Sequence, residues 1–176
     1  MFSLRGLMDK LYIIDEFLTE EEFDKILHDI ELYQWKFSMR ENDDARVTWI
    51  KELVGYEYLT NLMKTKIEIL IGKEILSDRL YCNGQAHGQT AYAHRDVADD
   101  DYNLWGSCVF FIHKNWKPMY GGHLIFIDGD EVIESIFPKT NRAVVFNSKI
   151  EHCGLEPTVF CKEQRMSIAY KFLIKE

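Results

Sequence analysis

Residues 91–96 read AYAHRD, and the reading of the whole chain turns on them. His94 and Asp96 are two residues apart, so on an extended strand both side chains point to one face. An imidazole beside a carboxylate suits a divalent transition metal. His152, within FNSKIEHCG at residues 146–154, is the best candidate for a third donor. Thirteen residues later Arg165 opens the segment RMSIAYKF. A guanidinium is always charged, and its planar fork fits a carboxylate through two hydrogen bonds. Ser167 lies two residues on, on the same strand face, so its hydroxyl can address the same group. The order of parts is HxD, a long gap, His, a short gap, then Arg, and strands are what would carry it.

Two histidines plus one carboxylate, with coordination positions left open, form the facial triad of non-haem Fe(II) oxygenases. The order of parts resembles the 2-oxoglutarate and Fe(II)-dependent dioxygenases. Residues 120–126, YGGHLIF, look like the GG-x-L-x-F strand of the prolyl 4-hydroxylase-like branch. Residues 136–148, IFPKTNRAVVFNS, resemble the stretch that precedes the distal histidine there. The resemblance covers residues 80–172, with a weaker echo in the FLT and acidic helix near the N-terminus. HxD alone is weak evidence, whereas HxD, GGxL, distal His and RxS in that order are specific.

The resemblance implies an α+β, mainly β fold: a double-stranded β-helix (jelly roll) with N-terminal helices packed on one sheet. It implies that His94, Asp96 and His152 are the catalytic centre and hold Fe(II). It implies 2-oxoglutarate as cosubstrate, its C5 carboxylate held by Arg165 and Ser167, with O2 as oxidant and ascorbate as a reductant. Collagen-type prolyl hydroxylases often carry Lys in the place of Arg165, so this chain looks more like the oxygen-sensing and ribosomal-protein hydroxylases. Tyr81 and Asn83, again two apart, fit donors to the cosubstrate's carboxylates, and Tyr81 fits the core equally well. Tyr92 and Thr90 share the ligand face if the strand extends that far back, and would then line the substrate pocket; Thr90 fits a solvated strand end as well. His123 stands where relatives often have Glu; it fits a group near the metal or an outward-facing polar residue. Trp105 and Trp116 read as packing, with a substrate wall as the other use, and His28, His87 and His113 read as structural.

The remainder of the sequence bounds the class. With 176 residues the chain is the size of one domain, residues 1–75 supplying a strand and supporting helices and residues 77–176 the jelly-roll core. A 14% aromatic content allows a substantial core. The net charge of −8 is a poor match for a polyanion, since each phosphate contact needs a cation. No nucleic-acid partner is therefore expected, and no membrane association, because acidic residues break the apolar run at the N-terminus. Cys82, Cys108, Cys153 and Cys161 show no CxxC pair and read as reduced thiols of a cytoplasmic protein.

Residues 10–14, KLYII, read as a short strand. Thr19 with Glu22 forms a capping box ahead of Phe23, Ile26, Leu27 and Ile30 at helical spacing. Residues 35–48 are polar and turn-like, a solvated loop or, with residues 36–48, a mobile flap over the metal. A second helix carries Leu59, Leu62, Met63, Ile67 and Leu70 and ends at Gly72. Strands are expected at residues 79–83, 105–113, 122–127, 131–136, 142–146 and 165–174, separated by Gly and Pro turns. Beyond Asp96 the acidic run 96–101, DVADDD, reads as a solvated loop.

The function expected is hydroxylation of an unactivated C–H bond, coupled to decarboxylation of 2-oxoglutarate to succinate and CO2. Peptidyl proline is the leading substrate, with a free amino acid or other small metabolite as the alternative. A cupin-like metal protein without oxygenase turnover would share the fold and histidines but would not need Arg165 and Ser167.

Overall fold

A computed structural model describes residues 11–38, 48–97 and 105–175. Strand β1 (Tyr12–Ile14) leads into helix α1 (Glu20–Asp29), a short 3-10 turn (Ile30–Leu32) and the hairpin strands β2 (Lys36–Ser38) and β3 (Thr48–Glu52). Helix α2 (Glu57–Ile71) precedes the long strand β4 (Ile75–Gln85). There follow β5 (Trp105–Phe111), β6 (Leu124–Asp128), β7 (Glu131–Ile136), β8 (Ala143–Asn147), β9 (Glu151–Gly154) and β10 (Arg165–Ile174).

The strands form two antiparallel sheets, one ordered β1-β8-β5-β10-β4-β3-β2 and one ordered β7-β6-β9. This is the double-stranded β-helix with helices on one sheet. Side-chain alternation explains the layering. On β10, Ile168, Tyr170 and Phe172 point into a core shared with Phe23 and Ile26 of α1 and Leu59, Met63 and Ile67 of α2. The opposite face of the large sheet, including Val109, Phe111, Val144 and Phe146, packs against Leu124, Phe126 and Ile136 of the small sheet. Odd-numbered residues of β10 from Arg165 to Lys171 therefore look into the space between the sheets.

Helix α1 starts, and helix α2 stops, where the sequence carries a capping signal. The Thr19 hydroxyl accepts from the Glu22 backbone N–H at 3.2 Å, and the Glu22 carboxylate accepts from the Thr19 N–H at 2.9 Å. Helix α2 ends on Gly72 in the left-handed conformation, φ 68°.

Three strands were not expected. The hairpin β2–β3 occupies both ends of the polar stretch 35–48, and β3 pairs with β4. The flap assigned to residues 36–48 is thus a strand at 36–38, and its remainder through residue 47 lies outside the described residues, as does the acidic run from residue 98. The third is β9, four residues around His152. Conversely, residues 86–93 are irregular, and His94 makes only an isolated antiparallel bridge to His152. Among the described residues no helix is long and apolar enough to cross a membrane. Cys82, Cys108 and Cys153 are buried.

Candidate active site

Strand β9 and the bridge beside it bring the two histidines together. The backbone N–H of each donates to the carbonyl of the other at 3.0 Å. Their rings face one another with centroids 4.5 Å apart. The Asp96 N–H donates to Ser148 O at 2.9 Å, which fixes the carboxylate beside them. One donor atom from each of His94, Asp96 and His152 lies within 4.8 Å of the others, close enough to share one ion. Asp96 Oδ1 is 3.5 Å from His94 Nε2, and Asp96 Oδ2 is 3.5 Å from His152 Nε2.

Backbone carbonyls orient both rings. Nδ1 of His94 lies 3.0 Å from Tyr92 O, and Nδ1 of His152 lies 2.9 Å from Ile150 O. A carbonyl can only accept, so each Nδ1 carries the proton and each Nε2 keeps its lone pair for a metal. Burial holds His152 neutral, its pKa pushed down to about 3. Burial pushes Asp96 the other way, but the Lys171 charge beside it overrides this. The carboxylate is held well below its usual range. Asp96 is therefore ionised and His152 neutral, as binding of a divalent ion requires.

Arg165 lies in the same cavity and is 2% exposed. Nε donates to Gly122 O at 2.6 Å, and Nη1 donates to Gln85 Oε1 at 2.8 Å and to Ser167 Oγ at 3.4 Å. The guanidinium sits over the Phe111 ring at 5.3 Å. Burial lowers its pKa to about 10, so it stays cationic at neutral pH. Among the described residues Nη2 has no partner and no carboxylate lies within ion-pair reach. A buried, uncompensated cation is costly unless an anion joins it. Gly122 makes this placement feasible. Its φ is 74°, and a Cβ there would sit 3.0 Å from Arg165 Cδ.

The cavity is open to solvent and joins the two halves. Tyr81 and Asn83 both line it, on β4 opposite Ala169 and Ser167. The Arg79 guanidinium stacks on the Tyr81 ring at 4.5 Å. Thr90 and Tyr92 do not line the cavity. Both are exposed, Tyr92 at 61%, because residues 86–93 do not keep the alternation of a strand. Ala91 takes the inward place instead.

Other histidines stand apart from the donor set. His123 packs on Phe137 at 5.6 Å, and burial lowers its pKa. His113 stacks on Trp116 at 4.3 Å, and His87 Nδ1 lies 3.1 Å from Pro157 O. Trp116 is a packing residue whose Nε1 donates to Gly121 O at 2.9 Å, and Trp105 stands away from this cavity.

Four participants escaped the sequence reading. Gln85 extends the Tyr81–Asn83 alternation by one step, and Lys171 extends Arg165–Ser167 by two; that periodicity was a usable signal. Ser107 donates to Asp96 Oδ2 at 2.6 Å, and Thr48 lines the cavity from β3. Neither has a local signature.

A family model described as the 2OG-Fe(II) oxygenase superfamily matches residues 79–172, more than half the chain. The chain belongs to the 2OG-Fe(II) oxygenase superfamily. No curated protein matches the sequence. Among solved structures, a prolyl hydroxylase from Trichoplax adhaerens, in complex with a hypoxia inducible factor oxygen degradation domain peptide, superposes with a TM-score of 0.76. That pair is 17% identical over 96% of this chain and 86% of the other. A Pseudomonas putida prolyl-4-hydroxylase gives 0.71 at 18% identity, covering 98% of this chain and 99% of that one. HygX from Streptomyces hygroscopicus, with nickel, 2-oxoglutarate and hygromycin B bound, gives 0.66 at 8% identity, covering 98% and 87%.

As a 2OG-Fe(II) oxygenase the protein is a dioxygenase that uses Fe(II), 2-oxoglutarate and O2. The cupin-like alternative without turnover is set aside. The oxygenase chemistry also fits the residues present, since the cavity offers a metal donor set at one point and an unpaired buried cation at another.

Proposed function

We propose that the chain is a prolyl hydroxylase-like dioxygenase whose substrate is a proline within a peptide. His94 Nε2, Asp96 and His152 Nε2 hold Fe(II), and Arg165 with Ser167 holds the C5 carboxylate of 2-oxoglutarate. The observation that carries this reading is Arg165: a buried cation with a spare N–H, in one cavity with a His-Asp-His cluster. A monoanion would satisfy the cation alone, and a metal chelator would satisfy the triad alone. A dicarboxylate bearing a keto group satisfies both.

Bound iron supplies activation of O2, coupled to decarboxylation of 2-oxoglutarate to succinate and CO2. The protein's own contribution is orientation. Two carbonyl-held imidazoles present lone pairs, and Asp96 supplies the negative charge. The Arg165 fork fixes the far end of the cosubstrate against Phe111. Asn83 and Tyr81, facing the cavity from β4, are placed to donate to its carboxylates. Val109, Leu124 and Ala169 line the cavity and make part of its wall apolar. Thr90 and Tyr92, outside that lining, would meet only the outer part of a bound substrate.

The peptide-bound Trichoplax enzyme and the Pseudomonas enzyme support a prolyl substrate by similarity of fold. A second reading, hydroxylation of a small metabolite, is favoured by the HygX likeness, since that structure holds hygromycin B in the same architecture. The two are separated by incubating protein, Fe(II), 2-oxoglutarate and O2 with proline-containing peptides, free amino acids or small polar metabolites. Succinate formation and a mass gain of one oxygen on a peptide support the first reading. Oxygen gain confined to free amino acids or metabolites overturns it.

A further inference from the structure

Strand β10 carries a second cation into the cavity. Lys171 is six residues beyond Arg165 on the same strand face and pairs with Ser107 across β5. Its side chain is 12% exposed. The ammonium contacts Asp96 Oδ2 directly, and Nζ donates to Ser107 Oγ at 3.3 Å. Ser107 Oγ donates to the same Oδ2 at 2.6 Å and lies 2.7 Å from Ser148 Oγ. A positive charge is thus tied to the one negative charge of the donor set, inside a buried pocket.

Resting on the ligand set proposed above, we infer that Lys171 is a positioning residue that sets the charge of the metal centre. Without Lys171, Asp96 gives the empty site one negative charge. With Lys171 the empty site is neutral, and a divalent ion brings it to two positive charges instead of one. Two consequences of opposite sign follow from Coulomb's law at short range. Lys171 weakens the grip on the bare metal, because two cations approach the same carboxylate. It strengthens the grip on 2-oxoglutarate, a dianion, once the metal is in place. Two donors converge on Oδ2, so Lys171 and Ser107 also fix the carboxylate's rotation and leave Oδ1 directed at the His94 side.

Calorimetry on the full chain tests this without turnover. Mn(II) is titrated into metal-free protein, and 2-oxoglutarate is then titrated into the Mn(II)-loaded protein under nitrogen. Lys171→Gln keeps a donor to Asp96 and removes the charge; Lys171→Met removes both, so one reports if the other fails to fold. Either variant should bind Mn(II) about ten-fold tighter and 2-oxoglutarate about ten-fold more weakly than wild type. Lys171→Arg should restore both affinities. Mn(II) affinity that is unchanged or weaker in the charge-free variants overturns the inference while leaving the ligand set standing. Failure of the wild type to bind Mn(II) at all overturns the ligand set, and the inference with it.

Discussion

Arg165 shows how much a single side chain can disclose. Its Nε and Nη1 are anchored by Gly122 and Gln85, which leaves Nη2 for a ligand. Lysine is a point charge without that fork, so Arg165→Lys should raise the KM for 2-oxoglutarate by about ten- to hundred-fold, the worth of a charge-assisted hydrogen bond. Mn(II) binding in the absence of cosubstrate should be unchanged, and calorimetry separates the two. That His94, Asp96 and His152 come together, and that Arg165 and Ser167 share a cavity with the two histidines, was legible because each sits in a short motif with its own spacing. Gln85 and Lys171 were legible only as continuations of a strand alternation; their partners, like those of Ser107, lie elsewhere in the chain, which no local pattern shows. Tyr92 and Thr90 were placed inward by strand alternation, which fails where the chain leaves the sheet at residue 86.

At the scale of elements, the six long strands and both helices were legible from periodicity, caps and turn residues. The β2–β3 hairpin was not, because its composition is polar and its register is set by β4 rather than by its own pattern. The capping box on α1 is a local device, and Thr19→Ala should cost about 1 kcal/mol, read as a lowered urea midpoint with unchanged slope. The Gly121-Gly122 turn before β6 also abuts Arg165. Gly122→Ala forces a side chain into positive φ and against Arg165 Cδ. It should destabilise by about 1–2 kcal/mol and also weaken 2-oxoglutarate binding. Stability loss with cosubstrate affinity intact would show that the turn does not position Arg165.

Across the whole molecule, burial of histidines couples stability to pH. His113 is 2% exposed, and among the described residues neither ring nitrogen has a partner. Burial, then the Arg165 charge, pushes its pKa down to about 3 from the ordinary 6.5. The unfolded chain therefore binds the proton more readily. Stability from this group is complete above about pH 6.5 and falls as pH drops toward 3, by up to about 1.4 kcal/mol per unit. His152 acts in the same direction. In metal-free protein, urea unfolding at pH 7.5 and pH 5 should show His113→Phe losing less stability than wild type by about 2 kcal/mol, the residual slope coming from His152. Equal losses would mean that His113 is not held neutral.

In the proposed complex one cavity holds a ferrous ion on His94, Asp96 and His152 and a dicarboxylate on Arg165. Anaerobic addition of Fe(II) and 2-oxoglutarate should give a weak visible charge-transfer band that saturates with cosubstrate. The band should vanish in His152→Ala and should require far more 2-oxoglutarate in Arg165→Lys. No band in the wild type, or an undiminished band in His152→Ala, would rule out iron and cosubstrate meeting on these residues.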